Sequence, residues 1–386
     1  MREGWKYKTI GDVCTVIGGS TPKSEVSEYW GGENYWVTPA ELNGNKYQGA
    51  TNRTITNLAV QKTNLKLLPK GTVLLSSRAP IGKVAITTVP MYCNQGFKNI
   101  ICSENLLNEF VYWYLYNSTE YLNSLGTGAT FKEISKKTTE SIVIPVPPLP
   151  EQERIVAELD LLTGIIDKQK AQLGELDTLA QSIFYDMFGD PIENEKGWKV
   201  EKMGEVCTIE RGGSPRPIEQ YLTDAENGIN WIKIGDATDG GMVITSTKQK
   251  IKPEGMKKSR YVHKGDFLLS NSMSFGRPYI LGVDGCIHDG WLVIQDTKHV
   301  FNKIYLYYLL GSSQIYKAFQ SMAVGGVVNN LNKDIVKAVR VAIPGLEFQE
   351  SFAQKIQSIE SQKESINRSI AETQKLFDYT MDKYFG

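Results

Sequence analysis

The chain has no stretch of about 18 apolar residues, so no membrane-crossing helix is expected. Its opening residues, Met1-Arg2-Glu3-Gly4-Trp5-Lys6, contain no apolar segment of the signal-peptide kind. The five cysteines (Cys14, Cys93, Cys102, Cys207 and Cys286) are odd in number and form no CxxC pair. That excludes a disulfide framework or a zinc site and points to reduced thiols in a cytoplasmic protein. There is no GxxxxGK[ST] loop, because Gly82-Lys83 lacks the upstream glycine and the following Ser or Thr. No HExxH, GxSxG or paired metal-ligand spacing occurs. Val146-Pro147-Pro148-Leu149 approaches a methyltransferase catalytic tetrapeptide but lacks the Asn or Asp and the aromatic residue. His263, His288 and His299, the only histidines, all lie in the second half and read as surface or loop residues. His288-Asp289 can form a local pair, but nothing near it in sequence resembles a nucleophile. The reading is a non-catalytic protein without cofactor or metal.

Net charge is also absent: 43 Lys and Arg balance 43 Asp and Glu. The distribution is uneven. Residues 1–148 and 191–344 each carry a net +4, whereas 149–190 carry −6 and 345–386 carry −2. Mildly basic parts alternate with acidic ones, which suits phosphate contact by the former.

What is present, above all, is repetition. Residues 4–16 read GWKYKTIGDVCTV and residues 197–209 read GWKVEKMGEVCTI, with seven of 13 positions identical at an offset of 193. Lys70-Gly71-Thr72-Val73-Leu74-Leu75-Ser76 lines up with Lys264-Gly265-Asp266-Phe267-Leu268-Leu269-Ser270 at an offset of 194. Leu149-Pro150-Glu151-Gln152-Glu153 meets Leu346-Glu347-Phe348-Gln349-Glu350 at an offset of 197. The chain is therefore two copies of one unit, each a globular part followed by a helical segment. Two similar halves suit the reading of an object with two halves, and bipartite DNA leads.

The boundaries are expected at 1–148 (first globular domain), 149–190 (first helical segment), 191–344 (second globular domain) and 345–386 (second helical segment). Short apolar runs bounded by Gly and Pro, such as 71–75 and 83–87, make the globular parts α+β with more strand than helix. Each holds one aromatic helix candidate, at 108–125 and roughly 302–322, whose Tyr and Trp stripe reads as core, with base stacking as the competing reading. In 149–190, Ile155, Leu159, Leu162, Ile166, Leu173, Leu176, Ala180, Ile183 and Met187 follow heptad spacing, with Gln169 as a polar break. In 345–386 the series is Phe352, Ile356, Ile359, Lys363, Ile366, Ile370, Thr373, Phe377, Thr380 and Tyr384. The two helices are expected to pair as an antiparallel coiled coil, relating the halves by pseudo-twofold symmetry. A helix of about 38 residues spans roughly 57 Å, more than one turn of DNA at about 34–36 Å. Gly164 and Gly174 each weaken the first helix by about 1 kcal/mol relative to Ala.

The order of several motifs resembles the specificity subunit of type I restriction–modification systems. They are Gly18-Gly19-Ser20-Thr21-Pro22-Lys23, then Leu74-Leu75-Ser76-Ser77-Arg78-Ala79-Pro80-Ile81-Gly82-Lys83, then Asn94-Gln95-Gly96-Phe97, then Pro145-Val146-Pro147-Pro148-Leu149-Pro150-Glu151-Gln152-Glu153 leading into the heptads. The second half matches more loosely. Gly212-Gly213-Ser214-Pro215-Arg216 lacks the Thr, Ser272-Met273-Ser274-Phe275-Gly276-Arg277 stands for the arginine-led loop, and Leu346-Glu347-Phe348-Gln349 lacks the double proline. The halves should therefore read different half-sites.

The resemblance implies two target recognition domains, each reading half of a bipartite site in double-stranded DNA, with the paired helices as ruler. It implies docking of two methyltransferase subunits that bring S-adenosylmethionine, and of ATP-hydrolysing restriction subunits in the full complex. Gly-Ser/Thr-Pro-basic loops present N–H groups and a cation to phosphate. Thr21, Lys23, Arg78 and Lys83 are placed at the first DNA surface, and Ser214, Arg216, Lys233 and Arg277 at the second. Arg78 or Arg277 alternatively reaches guanine, and solvated surface charge is the competing reading for each residue. Base contacts are expected in the most divergent stretches, around 40–66 and 233–260. The rival functions are a coiled-coil scaffold carrying two carbohydrate- or protein-binding modules, and an enzyme with an unrecognised site.

Overall fold

A computed structural model describes residues 4–128, 132–237, 241–271, 275–322 and 331–386. The chain divides into two compact units, Met1–Gln169 with Ser369–Gly386, and Lys170–Arg368. Both are α+β. Among the described residues no helix is long and apolar enough to cross a membrane.

In the first unit a five-stranded sheet runs in the order Cys14–Gly18, Lys98–Cys102, Val73–Ser77, Ile81–Thr87, Tyr47–Gln48. In the second the order is Cys207–Arg211, Trp291–Asp296, Phe267–Ser270, Pro278–Leu281, Val243–Ile244. The last strand pairs parallel to its neighbour in both sheets, Tyr47 opposite Ile86 and Val243 opposite Ile280. The central strands are buried, which suits their continuous apolar runs (Val73 to Leu75, Phe267 to Leu269).

A two-stranded antiparallel ribbon closes each globular part. Lys6–Thr9 pairs with Val143–Val146, and Lys199–Lys202 pairs with Arg340–Ile343. The ribbon brings the start of each globular part to the point where its long helix begins.

The long helices are Leu149–Phe188 and Leu346–Phe385, 40 residues each, or about 60 Å. Within each unit they run antiparallel. In the first, Arg154 Nη1 donates to the Tyr384 hydroxyl (3.0 Å) and Gln169 Nε2 to Ser369 Oγ (2.7 Å). In the second, Asp177 pairs with Lys363 (2.8 Å) and Phe184 packs on Phe352 (ring centroids 5.8 Å apart). Ile155, Leu159, Leu162, Ile166, Phe352, Ile356 and Ile359 are buried as the heptads require. After Ala180 the fully buried positions are Phe184 and Phe188, whereas Ile183 and Met187 are half-buried. A four-residue spacing replaces the heptad there because the helix turns its aromatic face toward Tyr305 (4.7 Å from Phe188).

Two buried glutamines explain the Gln of the Gln-Glu pair that ends the repeated motif. Gln152 accepts from Leu107 N (2.8 Å) and donates to the Asn105 and Pro147 carbonyls (3.0 and 2.8 Å). Gln349 accepts from Asn302 N (2.8 Å) and donates to the Val300 and Pro344 carbonyls (2.9 and 2.8 Å). Each clamps the loop before the aromatic helix to the first turn of the long helix.

The aromatic segments form two helices each, not one: Asn108–Asn117 with Thr119–Ser124, and Lys303–Gly311 with Ser313–Met322. The break falls on a serine that offers the backbone another partner. Ser118 Oγ bonds the Tyr114 carbonyl (2.7 Å), and Ser312 Oγ bonds the Leu309 carbonyl (2.7 Å) while accepting from Ile315 N (3.3 Å). Most of their rings are core, whereas Tyr116, Tyr121 and Tyr316 are exposed. Phe110, Tyr112, Trp113 and Tyr305 are buried, and Trp113 packs edge-on against Phe377 at 5.6 Å.

Candidate nucleic-acid interface

In the first unit the loop after Cys14–Gly18 lies against the turn Asn94-Gln95-Gly96-Phe97. A Cβ at Gly19 would sit 1.8 Å from the Asn94 carbonyl oxygen, so only glycine allows the approach. Ser20 N donates to the Cys93 carbonyl (3.0 Å), the Thr21 hydroxyl bonds to Gln95 Oε1, and Gly96 N donates to Asn94 Oδ1 (2.9 Å).

The second unit repeats this arrangement with other side chains. A Cβ at Gly212 would sit 2.2 Å from the His288 carbonyl oxygen. Gly213 N donates to the Ile287 carbonyl (3.1 Å), Ser214 Oγ to Asp289 Oδ1 (2.8 Å), and Gly290 N to His288 Nδ1 (2.9 Å). His288-Asp289-Gly290-Trp291 is thus the counterpart of Asn94-Gln95-Gly96-Phe97. Sequence reasoning missed it because only the glycine is shared; the offset of 194 from Lys70–Ser76 would have found it.

His288 Nδ1 accepts a backbone N–H, so the ring proton sits on Nε2, which lies 2.9 Å from Asp289 Oδ1. Burial lowers the His288 pKa, against the opposing pull of Asp289 and with help from Arg216, Lys233 and Arg211. Burial alone would raise the Asp289 pKa, but the Ser214 hydrogen bond, His288, Arg216 and Arg211 outweigh it and hold the carboxyl below its usual range. Ser214 reaches Asp289 and not His288, so the three do not form a nucleophile–base pair. Among the described residues no group of three or more His, Cys, Asp or Glu is placed to hold a metal ion.

Basic residues surround both turns. Lys23 is exposed, and its carbonyl accepts from Trp30 Nε1 (3.2 Å). Arg78 lies beside Gly96 and pairs with Glu133 at 3.9 Å. In the second unit Arg216 Nη2 is 3.5 Å from Asp289 Oδ2, Arg211 Nε donates to the Asp289 carbonyl (2.8 Å), and Arg260 Nε donates to the Arg211 carbonyl (2.9 Å). Arg211 and Arg260 belong with Arg216, although the sequence singled out only the last.

Of the other expected contact residues, Lys83 and Lys233 have partners within the chain and Arg277 lies at a separate cavity. Lys83 Nζ donates to the Pro39 and Leu42 carbonyls (3.2 and 2.8 Å), so its ammonium holds the chain together internally. Lys233 Nζ donates to Gln249 Oε1 (2.8 Å). Arg277 corresponds to Lys83, not Arg78, because Lys83 N and Arg277 N donate to the equivalent Ser76 and Ser270 hydroxyls (2.8 and 2.9 Å). It lines a cavity of about 900 Å³ with Phe184, Phe275 and Tyr307, and no residue of the Ser214–Asp289 cluster lines that cavity. Ser272, Met273 and Ser274 of the same motif lie outside the described residues.

The divergent stretches are anchored by matching acids. Glu41 accepts from Thr38 N (2.8 Å) and Asn52 N (2.6 Å), and Asp236 accepts from Lys233 N (2.8 Å) and Lys248 N (3.1 Å).

This duplicated architecture defines the class. A family model described as the type I restriction modification DNA specificity domain matches residues 2–176 and again 195–375. The chain belongs to that family of type I restriction–modification specificity subunits. It is 36% identical over 261 residues to the type I restriction enzyme MjaIX specificity subunit of Methanocaldococcus jannaschii, covering 63% of this chain but only 60% of that protein. It is 25% identical over 383 residues to the MjaVIII specificity subunit of the same organism, covering 93% of this chain and 87% of that protein. Among solved structures, a chain from a study of complex assembly and conformational transition in a type I system aligns with a TM-score of 0.65 at 21% identity, covering 100% of this chain and 98% of that one. The S subunit from M. genitalium aligns with a TM-score of 0.57 at 14% identity, covering 99% and 96%. These two show a shared fold.

Proposed function

We propose that each unit reads one half of a bipartite site in double-stranded DNA, and that this chain supplies recognition and no chemistry. The observation that carries the reading is the matched pair of contacts, Thr21 to Gln95 and Ser214 to Asp289. One scaffold holds a hydroxyl–proline–basic loop against a turn in both units, and the turn side chains differ: two amides in one, a carboxylate and an imidazole in the other. An amide suits adenine N6 and N7, and a carboxylate suits the cytosine amino group. The same backbone with different polar groups is what two unlike half-sites require. Lys23, Arg78, Arg211, Arg216 and Arg260 supply the phosphate attraction.

The paired helices act as the spacer between the half-sites. Their solvent-facing acidic surfaces dock two methyltransferase subunits, which bring S-adenosylmethionine, and restriction subunits join that core. Localisation in the cytoplasm, where the DNA is, follows from this role.

The test is an adenine-methylation map of a naive host after co-expression of this chain with its methyltransferase partner. Two unlike half-sites around a fixed gap are expected. A properly assembled complex that yields no motif would overturn the reading in favour of a scaffold for a non-DNA ligand.

A further inference from the structure

The segment between the strands Trp30–Val37 and Thr54–Ile55 carries Arg53, whose guanidinium carbon lies 3.6 Å from the centre of the Trp30 ring and 5.6 Å from that of Trp36. The two indoles meet edge to face at 5.0 Å, with Trp36 buried and Trp30 half-buried in a cluster with Ile55, Ala59 and Tyr92. The platform is therefore rigid. The backbone of Arg53 is held as well: its carbonyl accepts from Trp36 N (3.3 Å) and from the Thr51 hydroxyl (2.7 Å). The preceding residue, Asn52, is tied to Glu41.

Arg53 is exposed, and among the described residues no carboxylate, carbonyl or hydroxyl is bonded to its guanidinium. An arginine that only balanced a neighbouring charge would have an acceptor here. This one has a fixed plane, a fixed root and an in-plane edge of N–H donors without partners. Stacking restricts the side chain's rotamers before any ligand arrives, so less freedom is lost on binding. A fixed plane matters for a planar acceptor pair, and in duplex DNA the guanine O6/N7 edge is that pair. Trp30 also bonds the Lys23 carbonyl, so the fork sits on the same indole that positions the proposed phosphate-contacting loop.

The second unit differs at this place. Gln249 occupies the position opposite Trp231 that Arg53 occupies opposite Trp36, and its amide oxygen is taken by Lys233. Among the described residues no stacked guanidinium replaces it.

We infer that Arg53, held flat on Trp30, is the specificity-determining residue of the first unit and reads one guanine of its half-site; this rests on the DNA-reading function proposed above. The experiment uses the chain assembled with its methyltransferase partner. Methylation motifs are mapped for the wild type, Arg53→Ala and Arg53→Lys, and binding is measured on the mapped duplex and on duplexes with each base pair of the first half-site exchanged. The wild type should require a guanine in the first half-site. Arg53→Ala should lose roughly 5- to 150-fold of discrimination at that one pair, with the second half-site unchanged. Arg53→Lys, which keeps the charge and drops the fork, should lose discrimination at the same pair without changing the salt dependence.

Three results would overturn the inference and leave the DNA-reading function standing: a bipartite wild-type motif with no guanine in the half-site that the first unit reads, an Arg53→Ala motif identical to the wild type, or a uniform loss of affinity on all duplexes that Arg53→Lys restores. The last would make Arg53 a phosphate contact. A wild-type complex with no motif at all would remove both. If Arg53→Ala failed to assemble, Arg53→Lys alone decides, because the unchanged second half-site reports an intact complex.

Discussion

The Ser214 hydroxyl donates to the Asp289 carboxylate at 2.8 Å, in the position where the Thr21 hydroxyl of the other unit bonds the Gln95 amide. One contact joins residues 75 positions apart, and the other joins residues 74 apart. It survives a change of both partners because the backbone around it is held independently, by Gly212 against the His288 carbonyl and Gly19 against the Asn94 carbonyl.

That change gives the second unit titratable groups at this contact that the first unit lacks. His288 and Asp289 both have depressed pKa values in the fold. Below the ordinary histidine value of 6.5 the unfolded chain takes up a proton that folded His288 does not, so stability present above that pH is lost as pH falls. Asp289 adds a second loss further down, starting near 3.8. Asn94 and Gln95 do not titrate. The full chain should therefore lose stability in its second unit first between pH 7 and 5, followed by hydrogen exchange. His288→Asn, which keeps an acceptor for Gly290 N as Asn94 does for Gly96 N, should abolish the upper step; persistence of that step would assign it elsewhere.

On the proposed function, the basic residues should separate into contact and scaffold by their partners. Lys23→Ala and Arg216→Ala should each weaken DNA binding by the assembled complex about equally on all sequences, and lower the slope of log affinity against log salt by about 1. Arg78→Ala should do the same; an unchanged affinity and slope would remove it from the surface. Lys83→Ala should leave the slope alone and destabilise the first unit by about 1–2 kcal/mol, because two carbonyls lose a charged donor.

The buried glutamines are expected to dominate local stability. Gln152→Leu strands one N–H and two carbonyls at a residue with no solvent exposure. A loss of roughly 3 kcal/mol is expected, and Gln349→Leu should match it in the second unit. Urea unfolding of the two variants checks this, and an effect under about 1 kcal/mol would show that water replaces the bonds.

Gly164 and Gly174 lie in helix with open space where a Cβ would go. Alanine at each should raise the stability of the chain on its own by about 0.5–1 kcal/mol, read as a higher melting temperature. A fall would mean that the helix needs flexibility at that point.

Much of this architecture was legible in the chain. The repeat announced two like units, and the heptads from Ile155 to Ile166 and from Phe352 to Tyr384 announced the seam, because burying an apolar stripe imposes its period on the residues. The loose match of the second half at Ser214 and Arg216 already marked it as chemically different. Periodicity failed where packing took over: Phe184 and Phe188 displaced Ile183 and Met187 once aromatic neighbours were available, and Ser118 and Ser312 split helices that a hydrophobic stripe alone would continue.

Local sequence determined which residues could be helix, strand, turn or seam, since those preferences act over a few positions. Tertiary structure alone decided which polar groups are engaged inside the fold. Lys83 and Arg78 are five residues apart and chemically alike, yet two carbonyls from a distant turn engage the first, and the second lies beside the turn at Gly96. Arg53 is unremarkable in sequence and becomes a fixed fork only because Trp30, 23 positions earlier, lies under it. A side chain's availability depends on every donor and acceptor the fold brings within about 3 Å, and long-range pairing sets that list.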